Sequence, residues 1–138
     1  MSSNESISKA LSLYVRVCMR RKPLAISSSE PVSGLMFRMI NDNMGSVIVV
    51  EEDKPIGIIT EKDVLERVVM RNKNVYRTLA KDVMSKPIIS IEADCSVKEA
   101  LALMQMHKIR RLAVTENGVL IGMVTQRRLL EGVLGQIY

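Results

Sequence analysis

The chain has 138 residues, 47% of them apolar and 25% charged, with a net charge of +5. That balance excludes intrinsic disorder and suits one globular domain, or two small halves sharing a core. No apolar run is long enough to cross a bilayer, and the opening MSSNESISKALS lacks the basic-then-apolar design of a secretory signal, so a cytoplasmic chain with no membrane partner is expected.

Aromatics make up 3% of the chain and there are ten methionines, so aliphatic and flexible side chains fill the core. Cys18 and Cys95 show neither metal nor redox spacing and read as buried thiols in a reducing compartment. The charge excess is spread along the chain, about +3 before Lys81 and +2 after it, which gives solubility without arguing for nucleic acid.

Residues 1–12 read either as a loose helix on the second half or as a frayed tail. A short extended stretch follows at Pro23–Ser27. Then Val32, Leu35, Met36, Met39 and Ile40 recur at helical spacing, after Glu30-Pro31 at the helix start. Ser46–Val50 and Pro55–Thr60 are β-branched runs around the turn Glu51–Lys54 and predict a hairpin. A helix after Thr60 carries Val64, Leu65, Val68 and Val69 as its buried side, and the polar Arg71-Asn72-Lys73-Asn74 reads as the join between halves.

The same order then returns. Pro87–Ile91 is extended, and Asp94 marks a helix start before Val97, Ala100, Leu101 and Met104. Leu112–Thr115 and Leu120–Thr125 flank the turn Glu116–Gly118, and a last helix buries Leu129, Leu130, Val133 and Leu134. Val32–Leu65 aligns with Val97–Leu130 at a constant offset of 65 without a gap. Val32, Met39, Val49, Glu51, Ile56, Gly57, Thr60 and Leu65 are identical to their partners in the second copy. Such a repeat defines the architecture: each copy is β-α-β-β-α, and a single copy leaves one sheet face bare.

Two frames end the hairpins: Gly57-Ile58-Ile59-Thr60-Glu61-Lys62-Asp63 and Gly122-Met123-Val124-Thr125-Gln126-Arg127-Arg128. Glycine admits a close backbone or ligand. Thr60 and Asp63 have capping-box spacing. A helix start attracts phosphate, and a carboxylate beside it can accept bonds from two vicinal hydroxyls. The second frame keeps Thr125 but has Arg128 in place of the acid, and a guanidinium accepts no hydrogen bond. The exposed-arginine reading and an anion-binding reading both fit Arg127 and Arg128. Val83-Met84-Ser85-Lys86-Pro87 opens the second copy much as Cys18-Met19-Arg20-Arg21-Lys22-Pro23 opens the first.

With Ser96–Leu101 and Ile109–Val114, these motifs resemble a tandem pair of CBS domains, the motif named for cystathionine β-synthase, over residues 13–136. The resemblance implies an α+β fold of two pseudo-twofold-related β-α-β-β-α motifs packed through their sheets. Residues 1–12 form an N-terminal segment, 13–72 the first motif and 73–138 the second. It further implies a regulatory module, not an enzyme, with no catalytic cofactor. Its ligand would be an adenosine compound such as AMP, ADP, ATP or S-adenosylmethionine, bound in the cleft between motifs. Carried over, Thr60 and Asp63 meet the ribose, Ala25, Ile26 and Ile58 the adenine, and Arg110 and Arg111 the phosphates. Thr125, Arg128, Gly45 and Ser46 line a second cleft that lacks a ribose acceptor. The partners expected are a second copy of the chain in a homodimer and an unidentified regulated protein. The alternative is a protein- or nucleic-acid-interaction module working through its arginine-rich face. No metal-ligand or nucleophile constellation appears: His107 reads as structural or solvated.

Overall fold

A computed structural model describes residues 3–137. The first two residues of the 1–12 segment, and Tyr138 of the second motif, lie outside the described residues. The chain divides into two compact units, residues 23–88 and residues 1–22 with 89–138.

In the 23–88 unit, β2 (Ala25–Ser27) lies parallel to β3 (Ser46–Glu51), which pairs antiparallel with β4 (Lys54–Thr60). The helix α3 (Val32–Asn41) joins β2 to β3. After β4 come one turn of α-helix, α4 (Glu61–Val64), and a π-helical turn over Leu65–Val69. The short α5 (Ala80–Val83) completes the unit. Glu52 and Asp53 both have positive φ, 50° and 64°, the backbone a tight two-residue hairpin turn requires. Ile26, Val32, Leu35, Val49 and Ile59 fill the core, with Val83 from α5.

The other unit repeats this arrangement and adds to it. The helix α1 (Ser3–Leu11) packs on α7 (Gln126–Ile137) and α6 (Val97–His107). The short α2 (Val15–Cys18) leads to β1 (Arg20–Arg21), the edge of a four-stranded sheet ordered β1, β7 (Val119–Thr125), β6 (Arg111–Glu116), β5 (Ser90–Glu92). Val15, Cys18 and Met19 share its core with Leu112, Val124 and Leu129.

The offset of 65 holds bond for bond. Ser46 faces Thr60 as Arg111 faces Thr125, and both hairpins carry an irregularity after the same valine, Val49 and Val114. It also reaches further back than the aligned segment. The Tyr14–Ser96 bridge has its counterpart in Leu79–Pro31, and the Arg20–Met123 pairing in Ser85–Ile58. In each case the segment that opens one copy bridges to the helix start and the hairpin of the other copy. Residues 14–21 therefore belong with β6 and β7, and residues 79–86 with β3 and β4.

The compact units are divided differently from the repeat. Motif limits at 72 and 73 follow the repeat along the chain, whereas the compact units divide after Lys22 and after Ile88. Arg71–Asn74, the expected join between the copies, lies inside the 23–88 unit. The exchange also redistributes charge. The unit containing residues 1–22 and 89–138 has eleven Lys and Arg against six Asp and Glu, a net +5, while residues 23–88 have nine of each. An excess that is dispersed along the chain is concentrated in one unit.

Other differences are local. Ser96, not Asp94, caps α6, accepting from Glu99 N–H at 3.1 Å while its own N–H donates to the Glu99 carboxylate at 2.9 Å. Asp94 instead pairs with Arg16 at 3.0 Å. The start of α3 has no side-chain cap; carbonyls of Thr78 and Val75 accept from Val32 and Ser33 at 2.9 and 3.0 Å. The final helices bury Val64, Val68 and Leu129, but Leu65, Val69, Leu130 and Leu134 point outward. Phe37 and Ile40 on α3 do the same. The apolar content of these helices exceeds what one inward face can take, so each keeps an exposed apolar row.

Both frame glycines lie under an exchanged segment. A Cβ on Gly57 would sit 2.5 Å from Met84 Sδ and 3.0 Å from the Ser85 carbonyl, and one on Gly122 would sit 2.7 Å from Met19 Sδ and 2.9 Å from the Arg20 carbonyl. The methionine tips can move, but the backbone carbonyls cannot without breaking their pairing. Gly57→Ala and Gly122→Ala are each expected to destabilise the protein by about 1–3 kcal/mol in urea titrations. Gly34 in α3 has nothing within 4 Å of its added Cβ. Gly34→Ala is expected to gain up to about 1 kcal/mol, the helix-propensity difference.

Glu92 at the end of β5 accepts from the Thr115 hydroxyl and from Asn117 N–H. The Thr115 bond first, and the backbone bond second, hold its carboxyl below the usual range. Its stabilising contribution is therefore present above the unfolded value of about 4.3 and is lost as pH falls through the lower folded value. Thermal melts between neutral and acid pH are expected to show a shallower acid decline for Glu92→Gln than for the wild type.

Candidate ligand site

The corner where β4 turns into α4 is built by reciprocal bonding. Asp63 N–H donates to Thr60 Oγ1 at 3.3 Å, and Thr60 N–H donates back to Asp63 Oδ2 at 2.9 Å. The Thr60 hydroxyl donates to the same oxygen at 3.0 Å. Thr60 is thus the helix cap, as its spacing with Asp63 predicts.

Asp63 does more than close a capping box. It is 8% exposed, and its second oxygen, Oδ1, faces two further groups. Ser85 Oγ donates to it at 3.3 Å and Arg67 Nη2 lies 3.7 Å away. Arg67 uses its other amino group, Nη1, on the carbonyls of Val83 and Met84, at 2.7 and 3.1 Å. Burial of a carboxylate is tolerated where hydrogen bonds and a cation compensate it, and all of these are present. Sequence reasoning passed over Ser85 and Arg67. Ser85 lies in the Val83–Pro87 stretch that opens the second copy, and Arg67 is four residues after Asp63, the spacing of a helical ion pair.

Other residues of this corner separate into two kinds. Ile58 and Ala25 are half-buried. The Ile58 peptide is bonded on both sides to Ser85, donating at 3.0 Å and accepting at 2.8 Å. Ile26, by contrast, is 2% exposed among core side chains and presents no wall to a ligand. The strand alternation explains this: one residue of β2 faces the core and its two neighbours face away. Gly45 and Ser46 belong here too, since Ser46 pairs with Thr60 and the Gly45 carbonyl accepts from Glu61 N–H at 3.1 Å.

The equivalent corner of the other unit is basic. Thr125 Oγ1 accepts from Arg128 N–H at 3.1 Å, and no carboxylate returns the bond. The Arg110 carbonyl accepts from Gln126 N–H at 2.9 Å and Arg111 pairs with Thr125, so Arg110, Arg111, Arg127 and Arg128 gather at one place. Arg127 pairs with Glu131 at 3.4 Å. Among the described residues the guanidinium groups of Arg110 and Arg111 have no ion-pair partner. A groove of about 1050 Å³ opens beside Arg110, Arg111 and Thr125 over Leu101, Leu129 and Val133, and Asp63 does not line it. Within single units, then, the structure brings Thr60 and Asp63 together with Gly45 and Ser46, and Thr125 and Arg128 together with Arg110 and Arg111. The sequence reading concerns a different grouping, across the two motifs, in which Gly45 and Ser46 stand with Thr125 and Arg128.

Among the described residues no group of His, Cys, Asp and Glu could hold a metal ion, and no helix is long and apolar enough to cross a membrane. Burial raises the Cys18 thiol above its usual range, with Arg128 pulling weakly the other way.

The geometry has counterparts in known proteins. A protein of Methanopyrus kandleri, MK0525, is 42% identical over 114 residues, which is 81% of this chain and 58% of that one. This chain likewise spans 60% and 61% of two other curated relatives. The CBS domain of a bacterial CNNM/CorC-family Mg2+ transporter, solved in complex with ATP, superposes with a TM-score of 0.83 at 19% identity, covering 96% of this chain and 95% of that chain. A CBS domain protein of Pyrobaculum aerophilum, PAE2072, solved with AMP, gives 0.75 at 18% identity, covering 89% and 99%. At these identities the two structures establish the shared fold. The sequence pattern of the CBS domain itself matches twice, over residues 14–70 and 80–135, each match beginning in the segment the two copies exchange. This chain is a tandem CBS-domain protein.

Proposed function

We propose that the chain is a regulatory module that binds an adenine nucleotide or a related adenosine compound, with the ribose held by Asp63. The observation that carries this reading is the state of the Asp63 carboxylate. It is buried, oriented on both sides of Oδ2 by Thr60, and in only weak contact at Oδ1. A carboxylate so placed is set to accept hydroxyl donors, which the guanidinium at the equivalent Arg128 cannot do. The AMP and ATP complexes of the two superposing proteins support the ligand class. Ala25 and Ile58 are the apolar contacts for the base. Arg110 and Arg111, planar and unpaired, are the cations for the phosphate end.

The outward apolar rows, Phe37 and Ile40 with Leu65, Val69 and Met70, and Leu130 with Leu134, support a homodimer formed through helices. Catalysis is not part of this reading: the chain would report occupancy to a regulated protein partner. A second reading is favoured by the concentration of the +5 charge in one unit. There the arginine-rich corner binds an anionic macromolecule directly. A gel-shift series would separate the two, because phosphate-backbone binding weakens steeply as salt rises.

Titration calorimetry with adenosine, AMP, ADP, ATP and S-adenosylmethionine tests the leading reading. Asp63→Ala is expected to weaken binding of every adenosine compound by at least about tenfold, the weight of a lost charge-assisted pair of bonds. Thr60→Ala is expected to weaken binding less and to cost about 1 kcal/mol of stability as a lost cap. Arg110→Ala with Arg111→Ala is expected to erase the preference for ATP over adenosine and leave adenosine affinity unchanged. Unaltered binding in Asp63→Ala would remove the site from Asp63.

A further inference from the structure

The two oxygens of Asp63 are not equivalent. Oδ2 receives both donors of Thr60 and is fully used within the corner. Oδ1 is the meeting point of two groups tied to the opening segment of the second copy. Ser85 belongs to that segment, and Arg67 clamps its Val83 and Met84 carbonyls while pointing Nη2 at Oδ1. Arg67 is 38% exposed at its side chain and its 3.7 Å approach is an ion pair rather than a hydrogen bond. A donor arriving from outside would meet Oδ1, not Oδ2, and would displace the weakest of its contacts. The helix cap would survive, and the hold on residues 83–85 would not.

We infer that Arg67 is a positioning residue that couples occupancy of Asp63 to the tether on residues 83–85, and that it competes with the ligand for Oδ1. This rests on the nucleoside reading of Asp63 for its ligand, while the tether itself rests on the contacts of Arg67 and Ser85. The π-helical turn over Leu65–Val69 contributes directly. Its wide turn carries Arg67, and Met70 N–H bonds to the Leu65 carbonyl at 2.9 Å in the five-residue register. Ligand binding at Oδ1 releases Nη2, lengthens the Ser85 contact and loosens a segment otherwise held by the paired Ile58 and Ser85 peptides. Site and tether share one oxygen atom, so a change at either is felt at the other.

The test uses the full chain and adenosine, which carries no phosphate to respond to the arginine charge directly. Arg67→Met is expected to tighten adenosine binding by about three- to tenfold, since the competitor is gone. Hydrogen exchange at the amides of Met84, Ser85 and Lys86 is expected to be faster in Arg67→Met than in wild type, and less sensitive to adenosine. Arg67→Lys, which keeps the charge but cannot bridge two carbonyls and a carboxylate, should fall between them. Asp63→Asn without ligand should by itself speed exchange at the same amides. Arg67→Met that binds adenosine no better than wild type, or Asp63→Asn that leaves exchange at residues 84–86 unchanged, overturns the coupling. Loss of the nucleoside reading has a different signature: wild type that binds no adenosine compound, while Asp63→Asn still speeds exchange at those amides, leaves the tether standing and removes its ligand.

Discussion

The structure turns on a close backbone crossing at two glycines. At Gly57 and again at Gly122 the opening segment of the other copy passes so close that a single methyl group would collide with its carbonyl. That crossing lets Ile58 pair with Ser85 and Arg20 pair with Met123. It brings Val83 into one core and Val15 into the other. It also carries Ser85 to the Asp63 carboxylate. Bulk at the glycine would push away the segment, and with it a strand edge, part of a core and one partner of the buried acid. The chemistry of the corner is therefore subordinate to packing one residue type upstream of it.

The same corner serves two ends in two ways. Thr60 and Thr125 both cap a helix, so the strand-to-helix junction survives in both copies. Only the first has an acid to return the bond. In the second, arginines cluster where the helix dipole disfavours cations, a cost of some tenths of a kcal/mol that exposure keeps small. One unit has no net charge and the other has all of it. The duplicated scaffold thus separates a buried acceptor from an exposed set of donors while keeping the same threonine-capped strand-to-helix junction beneath each.

Much of this was legible in the sequence. The constant offset and the continuous apolar, β-branched runs Ser46–Val50 and Leu112–Thr115 mark the strands and their pairing, because a short apolar run bounded by turn residues suits a strand buried on both faces. The Thr60–Asp63 cap was legible for the same local reason. The exchange was not: periodicity says which face of a segment is buried, not which hairpin it is buried on. Hence the compact units divide away from the repeat boundary at 72 and 73, and a charge that reads as dispersed along the chain gathers in one unit. Leu65, Val69, Leu130 and Leu134 read as inward because an apolar row looks the same whether it meets its own core or faces outward. Ile26 was assigned to a ligand wall although strand alternation turns it into the core. Arg67 was hidden in a polar helical face, where its long reach to the Val83 carbonyl leaves no trace in spacing.

The traded openers also constrain how such a chain can be divided. Severing it at the repeat boundary would yield two polypeptides, each keeping a tether that fits its sister and lacking the tether that fits itself. Each fragment would expose a bare glycine trough along β4 or β7, together with an orphaned valine. Two identical single-copy chains could cover those troughs by swapping arms. In the fused molecule that reciprocity is intramolecular, and the arms meet their troughs at a local concentration no free pair of fragments could match.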